Sequence, residues 1–267
     1  MKKTIFITGA SAGLGKATAK LFQSNGWNVI ATMRNTAQET ELSQLDNVTL
    51  LPLDVTDLTQ IQSTVEKAIA LHDIDVVFNN AGYGLMGALE AISDEKIVRQ
   101  LDTNLLGVIR VTQAFIPYFR KRGNGLFITT TSIGGIFGFP ISSIYHATKW
   151  ALEGWSESMS FELGKFNIGI KTVAPGGIVT DFAGRSLDMN SHPDYLSIET
   201  KMFESFEQMM HNASTAEQIA DVVYEAATDG KDQVRYVAGN DANAMYARRL
   251  EIGTEASRQE MRTLFLG

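Results

Sequence analysis

Tyr145 is followed four residues later by Lys149, and Ser132 stands upstream in a β-rich run. On a helix, residues four apart share a face with Cβ atoms roughly 5 to 6 Å apart, so the Lys149 ammonium can sit beside the Tyr145 phenol or a ligand held against it. A free phenol, with a pKa of about 10, is too weak an acid to work near neutrality. Lowering it by about three units takes roughly 4 kcal/mol. A cation at about 4 Å supplies that much at an effective dielectric near 20, so on this arithmetic one lysine is enough. With a glycine-rich turn at Gly9, Gly13 and Gly15, these residues describe a hydride-transfer site.

The turn reads Gly9-Ala10-Ser11-Ala12-Gly13-Leu14-Gly15-Lys16-Ala17. It follows a strand-like run and opens a helical one, where backbone N–H groups and the helix dipole favour a phosphate. A Walker A loop would need glycine where Ala10 stands and a hydroxyl residue where Ala17 stands. Gly9 to Gly13 also fits the G-x-S-x-G nucleophile elbow, but an elbow draws its oxyanion hole from a loop after an earlier strand, and only one strand precedes Ser11. Dinucleotide binding remains, with the spacing G-x-x-x-G-x-G in place of the commoner G-x-G-x-x-G.

Composition narrows the chemistry. At 267 residues and 44% hydrophobic, the chain suits one large α/β domain, and no compositional shift marks a second. It has no cysteine, and its four histidines, His72, His146, His192 and His211, are scattered, so no metal site is expected. The net charge of −7, with no basic cluster larger than Arg120-Lys121-Arg122, argues against nucleic acid. Met1-Lys2-Lys3 resembles the start of a leader, but the apolar stretch from Thr4 to Thr8 runs straight into Gly9 and is too short for one. No apolar run of about 20 residues marks a membrane span. A cytoplasmic protein without membrane attachment is expected.

Strand-like runs at Thr4 to Thr8, Asn28 to Thr32, Val48 to Leu53, Ile74 to Phe78, Gly125 to Thr131, Ile168 to Val173 and Val234 to Ala238 alternate with helical patterns. The helical patterns cover Gly15 to Asn25, Leu58 to Leu71, Asp94 to Arg122, Ile144 to Phe166 and Ala216 to Thr228. This alternation predicts an α/β fold of the Rossmann type, a doubly wound parallel sheet of about seven strands with helices on both faces. Ligands in such sheets bind beyond the carboxyl ends of the strands, where Gly9, Asp54, Asn80, Ser132 and Pro175 are placed. The stretch from Asp181 to Asn212 breaks the rhythm with apolar side chains among loop-forming residues, and is expected to be a substrate lid. His146 points about 100° away from Tyr145 on a helix, toward the pocket wall or a neighbouring subunit.

In these motifs the chain resembles the short-chain dehydrogenase/reductase family in its compact single-domain form, from Thr4 to about Gly239. Thr8 to Gly15, with Gly9, Ser11, Gly13, Leu14 and Gly15, is similar to the family's cofactor turn; Asp54-Val55 to its adenine contact; and Asn79-Asn80-Ala81-Gly82 to its strand-four motif. Asn104, Ser132, Tyr145 and Lys149 match its catalytic tetrad, and Pro175-Gly176 with Ile178 and Thr180 matches the turn that holds the nicotinamide carboxamide. The resemblance implies that Tyr145 is the proton donor in carbonyl reduction and that Ser132 binds the substrate oxygen. It also implies that Lys149 binds the nicotinamide ribose, with Asn104 holding a relay water.

Coenzyme choice is written after the second strand, in Ala31-Thr32-Met33-Arg34-Asn35. No acid stands there to bind a free ribose 2′-OH, and Arg34 resembles the basic residue that accommodates a 2′-phosphate, with Ser11 and Asn35 as added donors. NADP(H) is therefore expected. Tyr83, Ile133, Phe137, Phe139 and Phe182 are expected to line an adaptable apolar pocket for a bulky or aromatic ketone, in a segment similar to hydroxysteroid and retinol dehydrogenases. The family implies a homodimer or homotetramer through the helices spanning Asn104 to Arg122 and Ile144 to Phe166. The alternative is a nucleotide-sensing regulator on the same fold, without turnover.

Overall fold

Every residue from Thr4 to Ile7 is buried, which requires a strand with neighbours on both edges and cover on both faces. The computed structural model describes residues 2–179 and 186–266. Its strands in chain order are β1 (Thr4–Ile7), β2 (Asn28–Met33), β3 (Val48–Pro52), β4 (Val76–Asn79), β5 (Gly84–Met86), β6 (Gly125–Thr130), β7 (Ile168–Pro175), β8 (Ile178–Val179), β9 (Leu187–Met189), β10 (Ser214–Thr215) and β11 (Arg235–Ala238). Its helices are α1 (Gly13–Ser24), α2 (Leu58–Leu71), α3 (Asp94–Leu101), α4 (Gly107–Arg122), α5 (Ser143–Gly164), α6 (Leu196–His211), α7 (Ala216–Thr228), α8 (Asn240–Ile252) and α9 (Thr254–Leu266).

Seven strands form one parallel sheet in the order β11-β7-β6-β4-β1-β2-β3. The chain runs outward from β1 to β3 and then returns to the other side of β1, so the order reverses between β1 and β4. Beyond the carboxyl ends of those two strands lies the crevice that doubly wound sheets use for ligands. Period-two alternation divides β1 between two cores. Ile5 and Ile7 join the layer under α1 and α7, with Phe22 and Trp27 edge to face at 4.9 Å. Phe6 joins the opposite layer, where Phe119 and Phe127 meet at 5.0 Å.

The expected strands and helices are present with ends shifted by a residue or two. The single helix expected over Asp94 to Arg122 is broken by a π-helical turn at Asp102–Leu106 that carries Asn104. Helices α6, α8 and α9 were not expected, nor were the short parallel pairs β5 with β9 and β8 with β10. The stretch that breaks the βαβ rhythm is well anchored in its described part. β9 pairs with β5, Lys96 donates to Asp188 and Asn190 at 2.7 Å each, and Ser191 and His192 bond the buried Glu199 of α6. Among the described residues no helix is long and apolar enough to cross a membrane.

Candidate active site

The glycine turn is shaped by close approach. Gly9 has φ +68°, and a Cβ there would lie 2.8 Å from the Ala81 Cα; a Cβ on Gly15 would lie 2.3 Å from the Gly9 carbonyl and 2.6 Å from the Asn80 Nδ2. Gly13, at φ +50°, opens α1. Ala12 offers no side-chain cap, which leaves the first N–H groups of α1 to an external acceptor. Such a turn fits a pyrophosphate. Lys16 does not reach toward it, being held by Glu39 at 3.0 Å and Glu41 at 3.1 Å. This ion pair, with Glu39 buried, was not legible in the sequence.

Asn80 ties three strand ends together. Its Nδ2 donates to the carbonyls of Thr8 and Gly9 at 3.2 and 3.1 Å, its Oδ1 accepts from Thr130 Oγ1 at 3.3 Å, and the N–H groups of Asn80 and Ala81 reach Thr8 Oγ1. Its side chain thus shapes the turn. Asn104 is likewise committed to backbone: its Oδ1 accepts from Tyr83 N at 3.0 Å and its Nδ2 donates to Tyr83 O at 2.8 Å. Gly82 leaves room for it, since a Cβ there would stand 3.2 Å from Asn104 Oδ1.

Tyr145 and Lys149 lie on successive turns of α5 against the end of β6. The Ser132 hydroxyl lies beside the Tyr145 phenol and favours its ionised form, and Ser132 Oγ accepts from Gly134 N at 3.0 Å. Lys149 is 7% exposed; its Nζ donates to the Thr130 carbonyl at 2.8 Å and stands 5.7 Å from the Tyr145 ring centre. Burial pushes the lysine down to about 8, against the pull of Glu153. Burial likewise pushes the phenol up, against the Ser132 hydrogen bond. This corrects the expectation that one lysine suffices to acidify the phenol. The arithmetic omitted the dehydration of the phenol, which is the larger influence on it here, opposed by Ser132.

At the adenine end, Asp54 accepts from Thr56 N and Oγ1 at 2.9 and 2.7 Å. Burial would raise its carboxyl, but the Thr56 bonds and the Arg34 charge hold it below the usual range. Val55 is buried against Gly107, where a Cβ would approach it to 2.9 Å. Arg34 and Asn35 are exposed, and Asn35 caps the next turn through Ala37 N. At the other end, Gly177 N donates to Asp241 Oδ2 at 2.7 Å, and a Cβ on Gly176 would stand 2.1 Å from that oxygen. Pro175 ends β7 and Ile178 begins β8, whereas Thr180 and Phe182 lie outside the described residues.

The expected substrate wall is divided. Ile133 and Phe137 are buried in a cluster with Ile136, Ala174 and Ala242, and the Arg249 guanidinium covers the Phe137 ring at 5.0 Å. Phe137 is therefore a core residue under α8, not an open pocket wall, because α8 was not foreseen. Phe139 is half-buried and lies 5.5 Å from the His146 ring. His146 Nδ1 bonds the Gly134 carbonyl at 2.6 Å and its Nε2 accepts from Phe139 N at 3.1 Å, which fixes the loop between Ser132 and α5. That bonding suits a neutral ring, and burial pushes its pKa down against the Gly134 bond. Tyr83 keeps a buried hydroxyl with no partner among the described residues, its ring under Arg99 at 5.0 Å. Those residues also hold no cluster of three or more His, Asp or Glu fit for a metal ion.

A family model described as short chain dehydrogenase matches residues 3–191. The human 17-beta-hydroxysteroid dehydrogenase type 1 is 30% identical over 255 residues, covering 88% of this chain and 77% of that one. A short-chain dehydrogenase from Streptomyces avermitilis superposes with a TM-score of 0.85 at 29% identity, covering 98% of this chain and 96% of that one. ElxO with NADP bound superposes at 0.78 with 27% identity, covering 91% of this chain and all of the other.

Proposed function

The chain belongs to the short-chain dehydrogenase family, an oxidoreductase family, and from that premise we propose that it transfers a hydride between NADP(H) and a carbonyl or secondary alcohol, reducing a bulky or aromatic ketone. The observation that carries this reading is Ser132 placed beside the buried Tyr145 phenol, with Lys149 one turn along α5. NADPH, when bound, supplies the hydride.

The chain's own residues do the rest. The uncapped start of α1 and the glycines at Gly9 and Gly13 take the pyrophosphate, while Pro175, Gly176 and Ile178 frame the nicotinamide end. Ser132 orients the carbonyl oxygen, and Tyr145 gives that oxygen its proton as the carbonyl carbon becomes a secondary alcohol. Lys149 restores the Tyr145 proton and is itself linked to solvent by a water held near Asn104. The product is an alcohol.

On this reading the chain is a single catalytic domain and the 181–212 stretch its lid, supported by the pairing of β9 with β5, next to Tyr83 in sequence. The exposed Phe161 and Trp150 of α5, at 77% and 45%, support pairing of α4 and α5 in a homodimer or homotetramer, which light scattering in solution would test. The acidic, cysteine-free composition supports a cytoplasmic place.

A panel of aliphatic, aromatic and steroid ketones, followed by NADPH and NADH absorbance, tests the reading. Turnover of apolar ketones with NADPH is expected; tight NADPH binding without turnover of any ketone is the result a nucleotide sensor would give. A charge-assisted contact to phosphate contributes about 1.5 to 3 kcal/mol. Arg34→Ala should therefore weaken NADPH use by roughly 10- to 150-fold and leave NADH nearly unchanged. Equal losses for both coenzymes would remove Arg34 from the 2′-phosphate.

A further inference from the structure

α5 presents one side chain per turn to the end of β6, and the series does not stop at Lys149. Tyr145 meets Ser132, Lys149 donates to the Thr130 carbonyl, and Glu153, one turn further, accepts from Thr131 Oγ1 at 2.5 Å. Residues four apart on a helix share a face, so the three consecutive residues 130, 131 and 132 are each gripped by the same stripe. Glu153 is 3% exposed. Its second oxygen takes Arg235 Nε from β11 at 2.7 Å and Thr172 Oγ1 from β7 at 3.3 Å.

We propose that Glu153 is a positioning residue for proton transfer: it holds the end of β6 in register with α5 and keeps Lys149 charged, while Arg235 sets how much of its negative charge Lys149 feels. A carboxylate this deep is costly unless bonded, and two hydroxyls and one guanidinium bond this one. Among the described residues no carboxylate touches Lys149, so the buried Glu153 charge one turn along the helix is the acidic group that offsets its burial. Burial drives Lys149 down to about 8, and Glu153 opposes the fall.

The charged and titratable neighbours of Glu153 are few. Lys149 and Glu157 lie on its own helix, Arg235 comes from β11, and Tyr246 and Arg249 come from α8, whereas β6 and β7 present only the hydroxyls of Thr131 and Thr172. Arg235 is 34% exposed at its side chain and lines an open cleft of about 530 Å³ with Glu157 and Arg249. Solvent therefore screens Arg235 more than Glu153, and the two charges cancel only in part at Lys149.

The inference rests on Lys149 as the proton-transfer lysine, and its test is independent of turnover. Protein labelled with ¹³C at lysine Cε is titrated by NMR without substrate, and the Lys149 signal is assigned by its loss in Lys149→Arg. Glu153→Gln keeps an acceptor for Thr131 but removes the charge, and should lower the Lys149 midpoint by about one pH unit, the effect of a buried charge one helix turn away partly offset by Arg235. Arg235→Gln should raise the midpoint by about 0.3 unit, since the exposed guanidinium is screened. A packing strut would leave both midpoints unmoved. Unmoved midpoints in folded variants, or shifts of the same sign, overturn the proposal. If Glu153→Gln does not fold, the direction of the Arg235→Gln shift decides alone. A ketone panel without turnover would sink the oxidoreductase reading and leave this result standing.

Discussion

Lys149 and Lys171 are both buried, and each stands over a tyrosine ring, at 5.7 Å from the centre of Tyr145 and 5.0 Å from that of Tyr236. The surroundings of the two pairs differ most in one group. Lys171 Nζ donates to the Ala226 carbonyl at 2.8 Å, to Asp229 Oδ1 at 2.7 Å and to the Tyr236 hydroxyl at 3.0 Å, which uses all three of its donors. Tyr236 in turn donates to Asp229 Oδ2 at 2.7 Å. Burial and then the Asp229 charge push that phenol up. For Asp229, burial would raise the carboxyl, but the Lys171 and Tyr236 bonds hold it far below the usual range. Every proton in this cluster has an owner. Around Lys149, the Thr130 carbonyl is the one hydrogen-bond acceptor in reach among the described residues, and no carboxylate touches the ammonium. The same two side-chain types thus make a lock in one place and an exchangeable proton in the other, and what separates them is a contacting carboxylate.

The largest difference should appear between the two tyrosines. Tyr145→Phe is expected to lower kcat by roughly 10²- to 10⁴-fold with coenzyme affinity nearly intact, as removal of a general acid does. Tyr236→Phe should leave kcat unchanged while costing about 1 to 3 kcal/mol in urea unfolding, because Asp229 loses a buried donor. If Tyr145→Phe keeps most of its kcat, or Tyr236→Phe loses it, the contrast between the pairs is misplaced.

The lysines should differ next, in stability. Lys171→Met takes the contacting cation from Asp229, which keeps the Tyr236 hydroxyl and Lys231, and is expected to cost about 1.5 to 3 kcal/mol. Lys149→Met removes a dehydrated cation and one hydrogen bond, and should cost no more than about 1 kcal/mol. Chemical denaturation of both variants at neutral pH checks the ratio; comparable losses would mean that Lys149 is as firmly paired as Lys171.

This contrast was only half legible in the sequence. The Tyr145 and Lys149 pair declares itself because helix geometry is local, so spacing alone puts them on one face. Lys171 shows nothing of the kind: it sits in a strand whose partners, Asp229 and Tyr236, are far along the chain and are brought to it only by α7 and β11. Glu153 has the right helical spacing, but its partners Thr131, Thr172 and Arg235 come from three strands. The seven main strands were readable from β-rich runs and the ligand edge from their carboxyl ends, whereas the strand order that puts the crevice between β1 and β4 depends on pairings made across the sheet. Helices α8 and α9 were hidden because their sequences are polar with a weak apolar stripe, and so the core place of Phe137 beneath α8 was missed as well.

An effect spread along the pH axis separates the two sites most directly. Asp229 has a folded pKa below its unfolded one, so its contribution is complete above about pH 4 and is lost as the pH falls further. Lys149 is also depressed, to about 8, but a depressed lysine has the opposite consequence. Below that pH the fold must hold a dehydrated cation, and this cost fades as the pH rises from about 8 toward the unfolded value near 10.4, where the unfolded chain binds the extra proton. The stability gap between wild type and Asp229→Asn should therefore shrink only in acid. Against Lys149→Met, wild type should gain only in alkali, by no more than about 1.4 kcal/mol per pH unit. Urea titrations of the three proteins from pH 3 to 10 would show the two windows. A Lys149→Met gap that is flat from pH 8 to 10 would mean that this lysine is as firmly protonated as an exposed one, and the distinction between the lock and the exchangeable proton would fail at its source.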